Sequence, residues 1–301
     1  YLPGNLIPFE NYLVMGVDES ILYYANTLGE DSEIISNVIE FITEKELSNF
    51  IIALPFDKSI GAEDRDLGLY RYIKHLNKWL YMGGEINNTQ GVARLNTKYQ
   101  GRYAALKNAN YKSFTDVPGR WSEVYIIGLS SAGLIDGIYQ NNNFVFMPGK
   151  NTTRGEFVKM LVAAKGLDIG DTDVSMFADR KNFADWMIPY AAAAAKTGWL
   201  KGAMTSAGVE ARLNDLITRE DAMVLIYRAF FDTNTERKPS AFLDNKDIAS
   251  YAKNGVDYLT SIGVVNGYED KTLKPKKPIT REEVAKIIFD CIMRCDATIP
   301  R

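Results

Sequence analysis

Hydrophobic residues along this chain fall into two textures. From residue 114 onward they recur at helical spacing in short, separated segments, for example Val124, Ile127 and Leu129, or Val256, Leu259 and Ile262. Stripes with that period predict helices with one buried face. Further along each stretch a second stripe appears, as Val158, Leu161 and Val162, as Val224 and Ile226, and as Val284, Ile287 and Ile288. Residues 1–85 read differently. Ile34, Ile35, Val38, Ile39 and Ile42 predict an amphipathic helix opened at Asp31 or Ser32, and Leu69, Tyr72, Ile73, Leu76 and Trp79 predict another. The apolar stretches Tyr12 to Val17 and Ile51 to Leu54 read as strands.

The C-terminal texture is a threefold repeat, and a repeat decides the fold before any single element does. Phe-x-Asp occurs at Phe114 to Asp116, Phe177 to Asp179 and Phe242 to Asp244, with offsets of 63 and 65 between aspartates. An aromatic follows each (Trp121, Trp186, Tyr251), and twelve residues after it stands a glycine (Gly133, Gly198, Gly263). Four residues later comes a second glycine: Gly137, Gly202 and Gly267. Glycine at such positions ends a helix. After a loop, Thr-Arg opens the second stripe at Thr153-Arg154, Thr218-Arg219 and Thr280-Arg281. These marks divide the chain into an N-terminal domain (1–85), a basic lead-in (86–113) and repeats over 114–176, 177–241 and 242–301. The expected fold is mainly α, with three helix-loop-helix repeats in a pseudo-threefold trefoil bundle behind a small α or α+β domain.

The lead-in lacks acidic residues and carries Arg94, Lys98, Arg102, Lys107 and Lys112. The first three stand at helical spacing, as a stripe facing an anionic polymer or as a solvated helix face. Acidic residues outnumber basic ones only 38 to 35, so no global field draws nucleic acid or an anionic membrane. The apolar runs Ile188 to Ala195 and Ile51 to Phe56 are far shorter than the ~20 residues of a membrane span. Residue 1 is Tyr with no leader-like pattern, which reads as a processed chain or a piece of a longer one. Cys291 and Cys295, one helical turn apart, read as buried thiols. With His75 as the single histidine, neither a His-based catalytic triad nor a zinc site is expected. Asp57, Glu63, Asp64 and Asp66 include no pair marked for hydrolysis, and the run at 63–66 suits a helix N-terminus. The expectation is a protein without catalysis, cofactor or metal.

The motif Thr-Arg-x-Glu/Asp, at Thr153 to Glu156, Thr218 to Asp221 and Thr280 to Glu283, combines parts with opposite energetics. Thr with an acid three residues on is a capping box, worth ~1 kcal/mol. A cation in the first turn is mildly unfavourable against the helix dipole. Arg154, Arg219 and Arg281 therefore call for a purpose. They read either as anion sites built from a guanidinium and the helix N-terminal N–H groups, or as salt bridges to the Phe-x-Asp aspartates.

The order Phe-x-Asp, aromatic, Gly-x-x-x-Gly, Thr-Arg-x-Glu resembles S-layer homology domains, most closely in Gly267 to Glu283. Trp199 reads as a stacking platform or core. The second repeat departs from the family with Gly202 to Glu210 in place of a Gly-Tyr-x-Asp loop and with Asp221 for Glu; the first has Gly155 for Ala and the Asn-rich Gln140 to Asn143. The resemblance implies grooves between repeats that bind secondary cell-wall polysaccharide, commonly through a pyruvylated N-acetylmannosamine. The motif arginines would meet the pyruvate carboxylate, and Asp116, Asp179 and Asp244 with nearby backbone would meet the sugar. With them, Trp121, Trp186, Tyr251, Gly137, Gly202 and Gly267 complete the expected ligand-binding set. The implied role is anchoring a surface protein outside a bacterial cell, with other surface-layer subunits as further partners. The rival expectations are a tethered polysaccharide hydrolase and a lattice-assembly module.

Overall fold

A computed structural model describes residues 15–17, 27–28, 32–41, 49–57, 59, 67–231 and 238–296. The chain divides into two compact units, one of Tyr1–Tyr111 with Asp296–Arg301 and one of Lys112–Cys295.

The described part of the first unit is antiparallel sheet. One sheet runs in the order β1 (Met15–Val17), β3 (Ile39–Phe41), β9 (Gly101–Lys107), β5 (Leu67–Ile73), β6 (Lys78–Tyr81), and β2 (Glu33–Ile34) also pairs with β9. The second runs β4 (Phe50–Pro55), β8 (Val92–Thr97), β7 (Glu85–Asn87). The mainly α expectation is therefore wrong, and neither predicted N-terminal helix forms among the described residues: Ile34 and Ile39 lie on β2 and β3, Leu69, Tyr72 and Ile73 on β5 and Trp79 on β6, with Leu76 in the single 3-10 turn Lys74–Leu76 between them. β5 lies between β9 and β6 and is buried on both faces along its length, so its apolar residues do not alternate. A continuous apolar run matches helical spacing by default. In the other case, Ser36 and Asn37 interrupt a β-branched run, leaving Ile34 in β2 and Ile39 in β3. Asp31, Ile42 and residues 63–66 lie outside the described residues. The Arg94, Lys98, Arg102 stripe is not helical either: Arg94 is on β8, Lys98 follows it, and Arg102 on β9 pairs with Glu40 of β3 at 3.1 Å.

The second unit holds the three repeats. Each begins with a nine-residue helix, α1 (Glu123–Ser131), α3 (Ile188–Lys196) or α5 (Lys253–Ser261), and continues to a longer one, α2 (Arg154–Lys165), α4 (Arg219–Phe230) or α6 (Arg281–Asp296). The helix-loop-helix expectation is corrected here as well. Between the helices the first two copies fold hairpins, β10 (Ile138–Gln140) with β11 (Asn143–Val145) and β12 (Ala203–Thr205) with β13 (Gly208–Glu210). The third makes a turn closed by Tyr268 N–H to Thr272 O at 2.8 Å. Gly137, Gly202 and Gly267 stand at the start of these turns for lack of room. A Cβ on Gly137 would lie 2.4 Å from the Phe114 ring, and one on Gly267 would lie 2.7 Å from the Phe242 ring.

A ring of backbone hydrogen bonds joins the copies. Thr152 N–H donates to Ile279 O (2.9 Å), Ile279 N–H to Ile217 O (3.1 Å) and Ile217 N–H to Thr152 O (3.0 Å). All three residues are fully buried. The residue after each is the threonine that caps α2, α4 or α6, so the ring brings the three motif segments to one axis.

Candidate functional site

Each Phe-x-Asp aspartate is spent inside its own repeat. Asp116 accepts the N–H groups of Phe146 and Met147 at 2.8 and 2.7 Å; Asp179 accepts those of Ala211 and Arg212 at 2.9 and 2.8 Å. Asp244 accepts those of Leu273 and Lys274, both at 2.8 Å. The second residue of each pair is left-handed, with φ of 59° at Met147, 55° at Arg212 and 54° at Lys274. Side-chain-bearing residues adopt this region at a cost, which the carboxylate clamp offsets.

The clamp turns the carbonyl of the first residue toward a neighbouring repeat, and the motif arginine meets it there. Arg281 Nε donates to Phe146 O, Arg154 Nε to Ala211 O and Arg219 Nε to Leu273 O, each at 2.9 Å. The arginines thus meet neither expected partner set in full. Their aspartate contacts run through a loop carbonyl, and the N–H groups at the helix starts are already occupied. Arg154 and Gly155 N–H donate to Asp215 and Leu213 O, Arg219 and Glu220 N–H to Lys277 and Pro275 O, and Arg281 and Glu282 N–H to Lys150 and Pro148 O. The third N–H of each helix goes to the capping threonine Oγ1. Beyond Nε, Arg281 Nη2 also donates to Asp136 O at 2.8 Å.

Each groove takes its parts from all three repeats. In the first, Arg281 faces Glu156, while Lys159 lies over the Trp186 ring at 5.9 Å. In the second, Arg154 Nη1 lies 3.6 Å from Asp221, whose other oxygen accepts from Tyr251 Oη at 2.9 Å. In the third, Arg219 Nη1 lies 3.1 Å from Glu283, and Trp121 lines the same cavity of about 240 Å³. Trp121, Trp186 and Tyr251 are all exposed, at 57%, 43% and 58%, an unusual state for large aromatics recurring at one repeat position. Trp199, by contrast, is 7% exposed.

Burial dominates the electrostatics of two of the motif arginines. Burial lowers the Arg154 and Arg281 pKa values despite the pull of Asp221 and Glu156. These are cations taken partly out of water without full compensation. For Glu156 and Glu283 burial acts upward, yet the Thr153 and Thr280 N–H bonds, with Lys150 or Tyr268 and the facing arginines, hold both below the usual carboxyl range.

A sequence model of the S-layer homology domain matches residues 113–158 and 241–285. The chain carries S-layer homology domains. It is 29% identical over 93% of its length to an amylopullulanase of Thermoanaerobacterium thermosulfurigenes, of which it covers 15%. It is 31% identical over 59% of its length to the exoglucanase XynX of Acetivibrio thermocellus, covering 16% of it. The same identity and share hold for an S-layer protein of Bacillus thuringiensis subsp. finitimus, of which 21% is covered. The chain therefore spans a minor part of these relatives.

Between the two matched S-layer homology regions lies the middle copy, with the same clamp, arginine and cap. Its cap differs in one respect. Thr153 and Thr280 N–H donate back to Glu156 and Glu283 at 2.8 and 2.9 Å. Asp221, one methylene shorter, accepts Tyr251 Oη instead. The third groove is the most covered: the Arg219 guanidinium is 5% exposed, with the Tyr268 ring 4.6 Å away, and Tyr268 Oη donates to Glu283 at 2.6 Å. Burial and that carboxylate push the Tyr268 hydroxyl well above the usual phenol range. Sequence reasoning missed Lys159 and Lys286. Both stand six residues after a capping threonine, a recurrence that was there to be read.

Proposed function

We propose that this chain anchors a protein to the bacterial cell surface by binding an anionic wall polysaccharide in its S-layer homology grooves, with the middle copy as a third repeat of the same kind. The observation that carries the reading is a desolvated arginine edge beside an exposed aromatic, three times over. A sugar bearing a carboxylate suits that pair, with the fork of Arg154, Arg219 or Arg281 taking the carboxylate and Tyr251, Trp121 or Trp186 the sugar face. A pyruvylated N-acetylmannosamine of secondary cell-wall polysaccharide is the ligand proposed. Asp116, Asp179 and Asp244 act by holding the loops that aim the arginines, and Gly137, Gly202 and Gly267 by letting those loops close. No cofactor and no catalytic step is assigned to these residues.

Two variants test the reading: Arg154→Gln/Arg219→Gln/Arg281→Gln, and Trp121→Ala/Trp186→Ala/Tyr251→Ala, which alters exposed side chains. Each is expected to lower sedimentation with purified wall polysaccharide at least about tenfold, with the circular-dichroism spectrum retained. Undiminished binding by the aromatic variant overturns it. The similarity to S-layer proteins favours lattice assembly as a second reading; self-association in light scattering without polymer would support that instead.

A further inference from the structure

One variable residue stands at the same place in each groove. It is the residue before the second glycine of Gly-x-x-x-Gly: Asp136, Lys201 and Asn266. A single position thus holds an anion, a cation and an amide.

All three lie beside the ligand-facing parts. In the first groove Asp136 O accepts from Arg281 Nη2 at 2.8 Å, and its carboxylate lies 3.8 Å from Lys159 Nζ and 3.0 Å from Lys112 Nζ. Lys159 is the cation over the Trp186 and Tyr190 rings, at 5.9 and 5.8 Å. In the second groove Lys201 and Tyr251 line one cavity of about 160 Å³, and no carboxylate lines it. In the third, Asn266 lines the cavity shared by Trp121 and Arg219.

The second helix of each repeat varies in step. Six residues after the capping threonine stand Lys159, Val224 and Lys286. Copies with a helix lysine have Asp or Asn at the turn, and the copy with Val224 has the turn lysine. The helix lysines are already matched by acids: Lys159 faces Asp136, and Lys286 pairs with Asp290 at 2.9 Å while donating to Val264 O at 2.6 Å. Each motif arginine also faces one acid, Glu156, Asp221 or Glu283, so that contribution is common to the three grooves. What distinguishes them is the turn residue.

We infer, on the wall-polysaccharide reading, that the residue before the second glycine determines the specificity of each groove, so that the three grooves rank differently for acidic and neutral glycan units. The second groove, with Lys201, holds a carboxylate-bearing unit most tightly. The first, where Asp136 competes with the ligand for Lys159, holds it least and discriminates least against the neutral sugar. One unit charge at this range in a hydrated groove changes affinity roughly three- to tenfold.

Single-groove proteins test this by calorimetric titration with pyruvylated N-acetylmannosamine. Arg154→Gln/Arg219→Gln keeps the arginine of the first groove, and Arg219→Gln/Arg281→Gln that of the second. The second-groove protein is expected to bind at least about threefold more tightly. Adding Asp136→Asn to the first should tighten binding roughly three- to tenfold, and adding Lys201→Asn to the second should weaken it by as much. Both side chains are exposed, so the circular-dichroism spectrum is retained. In the Arg154→Gln/Arg281→Gln protein, Asn266→Lys should tighten binding and Asn266→Asp weaken it. N-acetylmannosamine without the ketal should respond to these substitutions less than about twofold, which a general loss of groove structure would not spare. Unchanged affinity in Asp136→Asn or Lys201→Asn, equal shifts with the neutral sugar, or single-groove proteins that bind nothing while wild type binds, overturns the specificity position alone. Absence of wild-type binding to both the sugar and the polymer overturns the wall-anchor reading with it.

Discussion

Thr152 occupies the axis position that Ile217 and Ile279 hold in the other copies, and its buried Oγ1 has no hydrogen-bond partner. A buried hydroxyl left unpaired costs about 1–3 kcal/mol, so Thr152→Val is expected to raise the urea midpoint. The opposite sign is expected for Asp244→Ala. It strips the acceptor from two loop N–H groups and frees the carbonyl that Arg219 grips, at roughly 2–4 kcal/mol in equilibrium unfolding. The sequence announced the arginines and the aspartates by recurrence. It did not announce their link, because the loop carbonyl between them is a backbone group that every residue has. Nor did it show that each arginine works in the groove of the following copy, since a constant spacing within repeats carries no information about distances between them.

At the scale of elements, the second helix of each repeat was legible because it begins at a threonine cap, and the first because a glycine recurs just beyond its end. The N-terminal strands were not, since β5 is covered on both sides and leaves no alternation to read, whereas β4, with Ile51 exposed and Ile52 and Leu54 buried, was recognisable. The caps make a pH prediction. Glu156 and Glu283 titrate below their ordinary value in the folded protein, so the unfolded chain binds their protons more readily. Their contribution is complete above that value and is lost as pH falls from about 4.5 through the depressed folded values. Unfolding midpoints measured from pH 6 to pH 3 should decline across that range, and Glu283→Gln should shallow the decline.

At the scale of the whole repeat unit, closure depends on a contact between residues far apart in sequence. Arg120 Nε and Nη2 meet the Glu282 carboxylate at 3.1 and 2.9 Å, and Ser122 Oγ donates to it at 2.8 Å. Glu282→Ala leaves Ser122 buried without its acceptor and releases the join between the third copy and the first. Its thermal midpoint should fall below wild type by more than that of Glu269→Ala, which alters a surface position. The ring of Thr152, Ile217 and Ile279 has a further consequence. In an open stack a duplicated unit can always be appended to an end, because the terminal unit offers the same faces as the rest. Here every N–H and C=O of the ring is already claimed by a sister copy, so duplication of one more repeat finds no vacancy at the axis. The number of copies that can meet at this axis is fixed at three by arithmetic of the backbone.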